Sequence, residues 1–334
     1  MTERARPTYA EIATMAGVSE ATVSRVLNGD ERVHPDRAKR VQRAVEKLGY
    51  HRNRFAAALA SGKTGLIAIV IEDDLGVFAD PFWATVSSGI SQVLMDHGLQ
   101  TLLLVSQANQ VRGPVARYLD SGEIDGAIFF QLHRDELVRN LAKHGLPVVI
   151  TGAPHKSGDF VFVDSDQRGG AAAATQHLIE AGCRELATIT GDTGTTAGRL
   201  RLDGFLDAAA PLTGSVRRQR IVHGDYSFDS GKLAMIQLLA QRQRPDGVFV
   251  ANDLMAAGAL AAIDEAGFAC PADIRIVGFD DSLIAQTTRP PLTTVRQDIV
   301  GLGTTAAKLM ISLLEGENPD PVVLPTELVI RASA

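Results

Sequence analysis

Apolar residues follow two different rhythms along this 334-residue chain. Up to about residue 50 they recur at helical spacing. Ile12, Ala13, Ala16, Val18, Val23, Val26 and Leu27 let two short helices, joined by a turn at Gly17, pack on each other. Thr8 to Glu11 has the Thr-x-x-Glu form of a capping box. Ser19 suits the N-cap of the second helix, and Asn28-Gly29 ends it. A third helix is predicted over Pro35–Leu48, with proline in its first turn and Gly49 just past its end. From Gly65 the rhythm changes. Strand-like runs cover Leu66–Ile71, Thr101–Val105, Gly126–Phe130, Pro147–Ile150, Phe160–Val163, Leu186–Thr190, Gly247–Val250 and Ile274–Gly278. Helical segments such as Pro81–His97, Arg134–His144, Arg168–Ala181, Ser227–Gln241 and Leu254–Ala266 fall between them. This βαβ alternation predicts parallel sheets covered on both faces. About 270 residues of it exceed one sheet, so two subdomains are expected.

Between the two regimes lies Asn53 to Gly62, an alanine-rich stretch with a capping Asn and a terminal Gly. A helix this short is marginal alone in water and forms only with support. In the three-helix head, burying the apolar set leaves Ser19, Glu20, Ala21, Thr22, Ser24 and Arg25 outward. A helix with short polar residues and one guanidinium fits the major groove of DNA, about 12 Å wide. Charge agrees with that reading. Residues 1–64 carry 12 Lys/Arg and 7 Asp/Glu, whereas the remainder carries 21 and 32, so a basic head precedes an acidic body. No apolar run is long enough to cross a bilayer. The polar N-terminus leads straight into a helix signal, so no signal peptide and a cytoplasmic location are expected. Cys183 and Cys270 read as reduced thiols, and no Cys or His pair has metal-ligand spacing, so neither metal nor cofactor is expected.

The sequence resembles the LacI/GalR (lactose-repressor) family of bacterial transcriptional regulators along nearly its whole length. The resemblance rests on Ala16-Gly17-Val18-Ser19, Thr22 to Asn28, Leu48-Gly49-Tyr50 and Asn53 to Leu59 in the first part. In the body it rests on Asp80-Pro81-Phe82-Trp83, Asp166-Gln167 with Gly170, Arg199 to Phe205, Ala251-Asn252-Asp253, Gly278 to Asp281, Pro291 to Val295 and Pro325 to Arg331. No one motif is decisive; their order and spacing are. The resemblance implies an α/β protein: a helix-turn-helix head (1–50), a hinge helix and linker (51–64), and two Rossmann-like lobes of periplasmic sugar-binding-protein type. The lobes are expected at 65–163 with 293–323 and at 164–292 with 324–334. With no leucine-repeat tail before Ala334, a homodimer on a pseudo-palindromic operator in double-stranded DNA is expected.

The resemblance further implies that Arg25 donates two parallel bonds to a guanine, unless it is a solvated surface arginine. Glu20 could accept from cytosine N4 or act as a charge at the helix N-terminus. Ala21 could touch a thymine methyl. Thr8, Ser24, Asn28 and His34 resemble phosphate contacts, Asn28 equally a helix stop. Tyr50, Asn53 and Ala56 fall in matched DNA-binding positions. Leu59 matches a leucine wedged into the minor groove, or else joins two hinge helices in the dimer. Arg52 replaces the usual proline and Ala57 a longer polar residue.

In the body, the resemblance places Phe82, Trp83, Asp166, Gln167, Arg199, Tyr226, Asn252 and Asp280 around an effector. Arg199 would clamp neighbouring hydroxyls or a carbonyl, Asn252 both donate and accept, and Asp280 accept. The aromatic residues would cover an apolar ligand face. Asp280 could instead cap a helix, and Trp83 could belong to the core. Polar forks beside an aromatic wall suit a small carbohydrate; a purine corepressor is the alternative. Gly191 to Gly198 lacks the Gly-Lys-Ser/Thr ending of a phosphate loop and reads as a flexible loop at the cleft mouth. Arg217-Arg218-Gln219-Arg220 reads as a solvated face. A transporter's solute-binding protein would have no use for the head, and no nucleophile or cofactor motif supports an enzyme. An effector-controlled repressor is therefore the expectation.

Overall fold

Three helices open the chain: α1 (Tyr9–Ala16), α2 (Glu20–Leu27) and α3 (Pro35–Leu48). The computed structural model describes residues 7–27, 30, 32–50, 62–72, 80–106, 113–130, 136–154, 160–212 and 218–334. Asn28, Asn53, Ala56 and Leu59 lie outside the described residues, as do Arg52 and Ala57. The capping box forms as the sequence predicts: Thr8 N donates to Glu11 Oε2 at 2.7 Å, and Thr8 Oγ1 accepts from Glu11 N at 3.4 Å. Gly17 and Gly49 end α1 and α3 in the left-handed conformation, at φ 63° and 62°, which costs glycine no Cβ clash. Ile12, Ala13, Ala16, Val23, Val41 and Ala44 form the small core, with Val18, Val26 and Leu27 packed at its edge.

The chain divides into two compact units at Thr64/Gly65. The second unit holds two six-stranded sheets. The first sheet contains β1 (Leu66–Glu72), β2 (Gln100–Ser106), β3 (Gly126–Phe130), β4 (Val148–Thr151), β5 (Val161–Ser165) and β11 (Val322–Leu324), in the order β11-β5-β4-β3-β1-β2. All its pairings are parallel. Alternation along β1 explains the layers. Ile67, Ile69 and Ile71 face α4 (Pro81–Asp96) and α12 (Ile299–Leu314), while Ala68 and Val70 face α5 (Pro114–Leu119) and α6 (Glu136–Lys143).

The second sheet holds β6 (Leu186–Thr190), β7 (Ile221–His223), β8 (Gly247–Val250), β9 (Arg275–Asp280), β10 (Thr293–Gln297) and β12 (Thr326–Val329), in the order β12-β10-β9-β8-β6-β7. One face is covered by α7 (Gln167–Glu180) and α8 (Thr196–Ala209), the other by α9 (Phe228–Leu239) and α10 (Asp253–Glu265). A short α11 (Leu283–Thr287) follows β9.

Two expectations need correction. The sheets are not wholly parallel, because β12 pairs antiparallel with β10. The second crossing between lobes also falls later than residue 292: β10 belongs to the second sheet, so the chain crosses at Asp298. The first crossing follows β5, at Asp166, and the third is Pro325, between β11 and β12. The first and third crossings run together, with Asp166 N donating to Leu324 O at 2.9 Å.

Candidate functional site

Two sets of residues stand out, one in each unit. In the head, Ser19 caps α2, its hydroxyl accepting from Thr22 N at 3.3 Å. Val23 is the buried anchor of α2, and its position turns Glu20, Ala21 and Arg25 to solvent with Thr22 and Ser24 half-exposed. Thr8 and His34 are exposed at the N-termini of α1 and α3; His34 Nδ1 accepts from Asp36 N at 3.3 Å. Tyr50 is half-buried at the edge of the head core, its ring 5.8 Å from that of Tyr9.

In the second unit, polar residues converge at the C-terminal ends of the parallel strands, where α/β folds gather ligands. Arg201, on α8, is their centre. It is buried; its Nε donates to Gln167 Oε1 at 2.7 Å and its Nη1 to the Ala251 carbonyl. Its guanidinium stacks 3.8 Å over the Phe279 ring and lies 3.5 Å from Asp280 Oδ1. Gln167 Nε2 donates in turn to the buried Asp164 at 2.8 Å, and Gln297 Nε2 to Asp280 at 2.6 Å. Asn252 caps α10 through Oδ1, which accepts from Met255 N at 2.9 Å. Its Nδ2 donates to the Tyr226 carbonyl at 3.0 Å and to Asp80 Oδ2 at 3.4 Å. Asp80 caps α4 on the first sheet, so this contact spans the two lobes.

Burial dominates the electrostatics of this cluster. Desolvation pushes the carboxyls of Asp80, Asp164 and Asp280 above the usual range, against the pull of Arg201. It raises Asp253, which accepts from Thr294 and Ser282, to about 7. The Tyr226 phenol is pushed up for the same reason. The Tyr226 backbone is left-handed, at φ 71°, and a Cβ at Gly191 would collide with its ring. Gly191 therefore makes room for an aromatic side chain, while a Cβ at Gly198 would strike the Asp192 carbonyl.

The expected cleft residues separate into two groups. Gln167, Asn252, Asp280 and Tyr226 belong to the cluster. Phe82 and Trp83 are half-buried beside it, their rings 5.0 Å apart and Trp83 5.5 Å from Phe130, so both also serve the first core. Asp166 is exposed and caps α7, accepting from Gly169 N at 2.8 Å. Arg199 is half-buried, and its Nη2 donates to Thr196 Oγ1 on its own helix at 3.0 Å. Arg201, two positions on, is the arginine at the centre of the cluster. Sequence reasoning also passed over Asp80, Asp164, Asp253 and Gln297; Asp80 and Asp253 lie within motifs already quoted. The basic run at 217–220 is not all solvated, because Arg220 is buried and paired with Glu185 at 2.8 Å. Burial pushes both thiols up, Cys270 to about 12, and both cysteines are free. Among the described residues, no helix is long and apolar enough to cross a membrane, and no cluster could hold a metal ion.

An outward-facing helix in a helix-turn-helix head and a buried polar cluster between two α/β lobes define a ligand-responsive DNA-binding protein. Residues 8–53 match the family of bacterial regulatory proteins, lacI family, and residues 175–334 match a periplasmic binding protein-like domain. The chain is 37% identical over 339 residues to the HTH-type transcriptional regulator CelR of Thermobifida fusca, with 100% of each covered. Among solved structures it is similar to a transcriptional regulator CelR–cellobiose complex, with a TM-score of 0.77, 35% identity, and 98% of this chain and 100% of that one covered. It is also similar to the lac repressor dimer bound to operator and the anti-inducer ONPF, with a TM-score of 0.86, 27% identity, and 98% and 99% covered. The chain belongs to the LacI family of bacterial transcriptional regulators.

Proposed function

We propose that this regulator is a cytoplasmic repressor that binds a pseudo-palindromic operator as a homodimer and is controlled by a small carbohydrate held between its lobes. The observation that carries this reading is the set of donors and acceptors drawn from both lobes. Asp80 comes from one lobe; Arg201, Asn252 and Asp280 come from the other, with Phe82, Trp83 and Tyr226 beside them. Vicinal hydroxyls each donate and accept, which such a mixed set satisfies. The cellobiose complex of a relative alike over the full chain supports the same ligand class. In the head, Arg25 reads a base pair with Glu20, Ala21 and Thr22 around it. Ser19, Thr8, Ser24, His34 and Tyr50 set position on the backbone. Asn28, Asn53, Ala56 and Leu59 contact DNA as well, Asn28 at a phosphate and Leu59 as a wedge in the minor groove.

The test is a gel shift of the full chain on the promoter beside its own gene, with and without cellobiose. Cellobiose should release the DNA, and calorimetry should detect its binding. Tight binding of guanine or hypoxanthine in place of any sugar would overturn the carbohydrate reading. In the same assay Arg25→Ala should cost about 1–3 kcal/mol and relax preference at one base pair per half-site. An equal loss on every operator variant would remove Arg25 from base readout.

A further inference from the structure

The end of β9 and the turn after it carry two consecutive non-glycine residues at positive φ, Asp280 at 114° and Asp281 at 55°. Such backbone is sparsely populated and persists only where its surroundings over-determine it. Here they do, from both sides. The Asp281 carboxylate is 5% exposed and receives two guanidiniums, Arg296 Nε at 2.7 Å and Arg331 Nη2. The next residue, Ser282, donates its N–H and hydroxyl to Asp253 Oδ2 at 2.7 and 3.1 Å. Arg331 is itself fixed: its Nη1 donates to Leu292 O at 2.9 Å and its backbone N–H to Thr293 Oγ1 at 2.9 Å. Two residues later, Ser333 Oγ donates to Ile276 O at 2.7 Å and accepts from Thr293 N at 2.8 Å. The last residues of the chain thus bolt β9 to β10 at Ile276 and Thr293 and reach the turn through Arg331.

We infer that Arg331, acting through Asp281, is a positioning residue for ligand binding: the C-terminal segment holds Asp280 in the strained conformation that aims its carboxylate at Arg201 and Gln297. This rests on the cleft being the effector site. Each Asp281 oxygen receives one guanidinium N–H, Oδ2 from Arg296 and Oδ1 from Arg331, and such bonds are directional as well as charge-assisted. Asparagine tolerates left-handed backbone, so Asp281→Asn removes the charge while keeping the conformational preference.

The experiment uses the full chain with Arg331→Met, Arg331→Lys and Asp281→Asn. Glu327→Ala, which removes only the exposed arm of the network at Arg296, is the control. Hydrogen exchange of residues 278–283 without added ligand should rise in the first three variants and not in the control. Cellobiose affinity, by calorimetry, should fall by roughly tenfold or more, as when an orienting partner behind a liganding group is lost. Operator affinity without sugar should be unchanged. Lysine should restore part of the sugar affinity. In an Asp280→Asn background, Arg331→Met should add little further loss, since its effect passes through that carboxylate. Unchanged exchange at 278–283 would overturn the clamp, and a fully additive loss in the Asp280→Asn background would overturn its action through Asp280. If the unaltered chain does not bind cellobiose, that result counts against the carbohydrate reading, and the exchange data still decide whether the C-terminal segment holds the turn.

Discussion

Arg199 and Arg201 differ by two positions on α8, about 200° of helix rotation. The motif announced an arginine at this helix, but only the packing of α8 on the second sheet decides which one turns inward. Arg201→Ala should remove a partner from a buried cluster, costing roughly 3–5 kcal/mol of stability and abolishing the sugar response. Arg199→Ala, at a half-buried position, should cost less than Arg201→Ala and keep the response. Urea denaturation and gel shift would distinguish them, and the opposite ranking would restore the original assignment. Asp253 gives a pH prediction. Its folded value is about 7 against an ordinary 3.8, because burial disfavours the charged form. Between those values the folded state binds more protons than the unfolded one, so stability is lost as pH rises through the window. Asp253→Asn should flatten that slope. It should not erase it, because Asp80, Asp164 and Asp280 shift in the same direction. Thermal midpoints measured across the window would check this; an unchanged slope would mean Asp253 ionises normally.

At the level of elements, legibility followed local signals. The head helices, the caps at Thr8, Gly17, Ser19 and Gly49, and the central strands could be read because propensity, capping and period agree there. The periodicity did not single out β7, β10, β11 and β12, each of three to five residues, because their pairing is set by distant partners rather than local pattern. Nor did it single out α12, which carries Gly301 and Gly303 in its first turns. A Cβ at Gly303 would strike the Val86 carbonyl, and one at Gly89 would lie 2.9 Å from Val300 O. Those glycines allow α4 and α12 to approach closely, a reason visible only in three dimensions. Gly303→Val should therefore destabilise the second unit by about 1–3 kcal/mol through overpacking. A denaturation midpoint matching the unaltered chain would show that the helices can separate at little cost.

For the whole molecule, the division at Thr64/Gly65 coincides with the change in charge. Residues 65–334 alone should remain folded and bind cellobiose with near-normal affinity while losing specific operator affinity. Circular dichroism, calorimetry and gel shift would check each part, and tight operator binding by the shortened chain would sink the division of labour. The polar cluster was only half legible, since a list of motifs names candidate residues without their depth. Asp166 and Gln167 are neighbours in one motif, yet the first caps a helix in solvent and the second is buried against Arg201.

Pro325 alone separates β11 in one sheet from β12 in the other. One residue reaches about 3.5 Å, and proline has a fixed φ, so this leash has almost no slack. The lobes cannot slide apart there while both strands stay paired. Any change in the gap between Asp80 and Asn252 must leave this point nearly fixed, as a door leaves its pin in place.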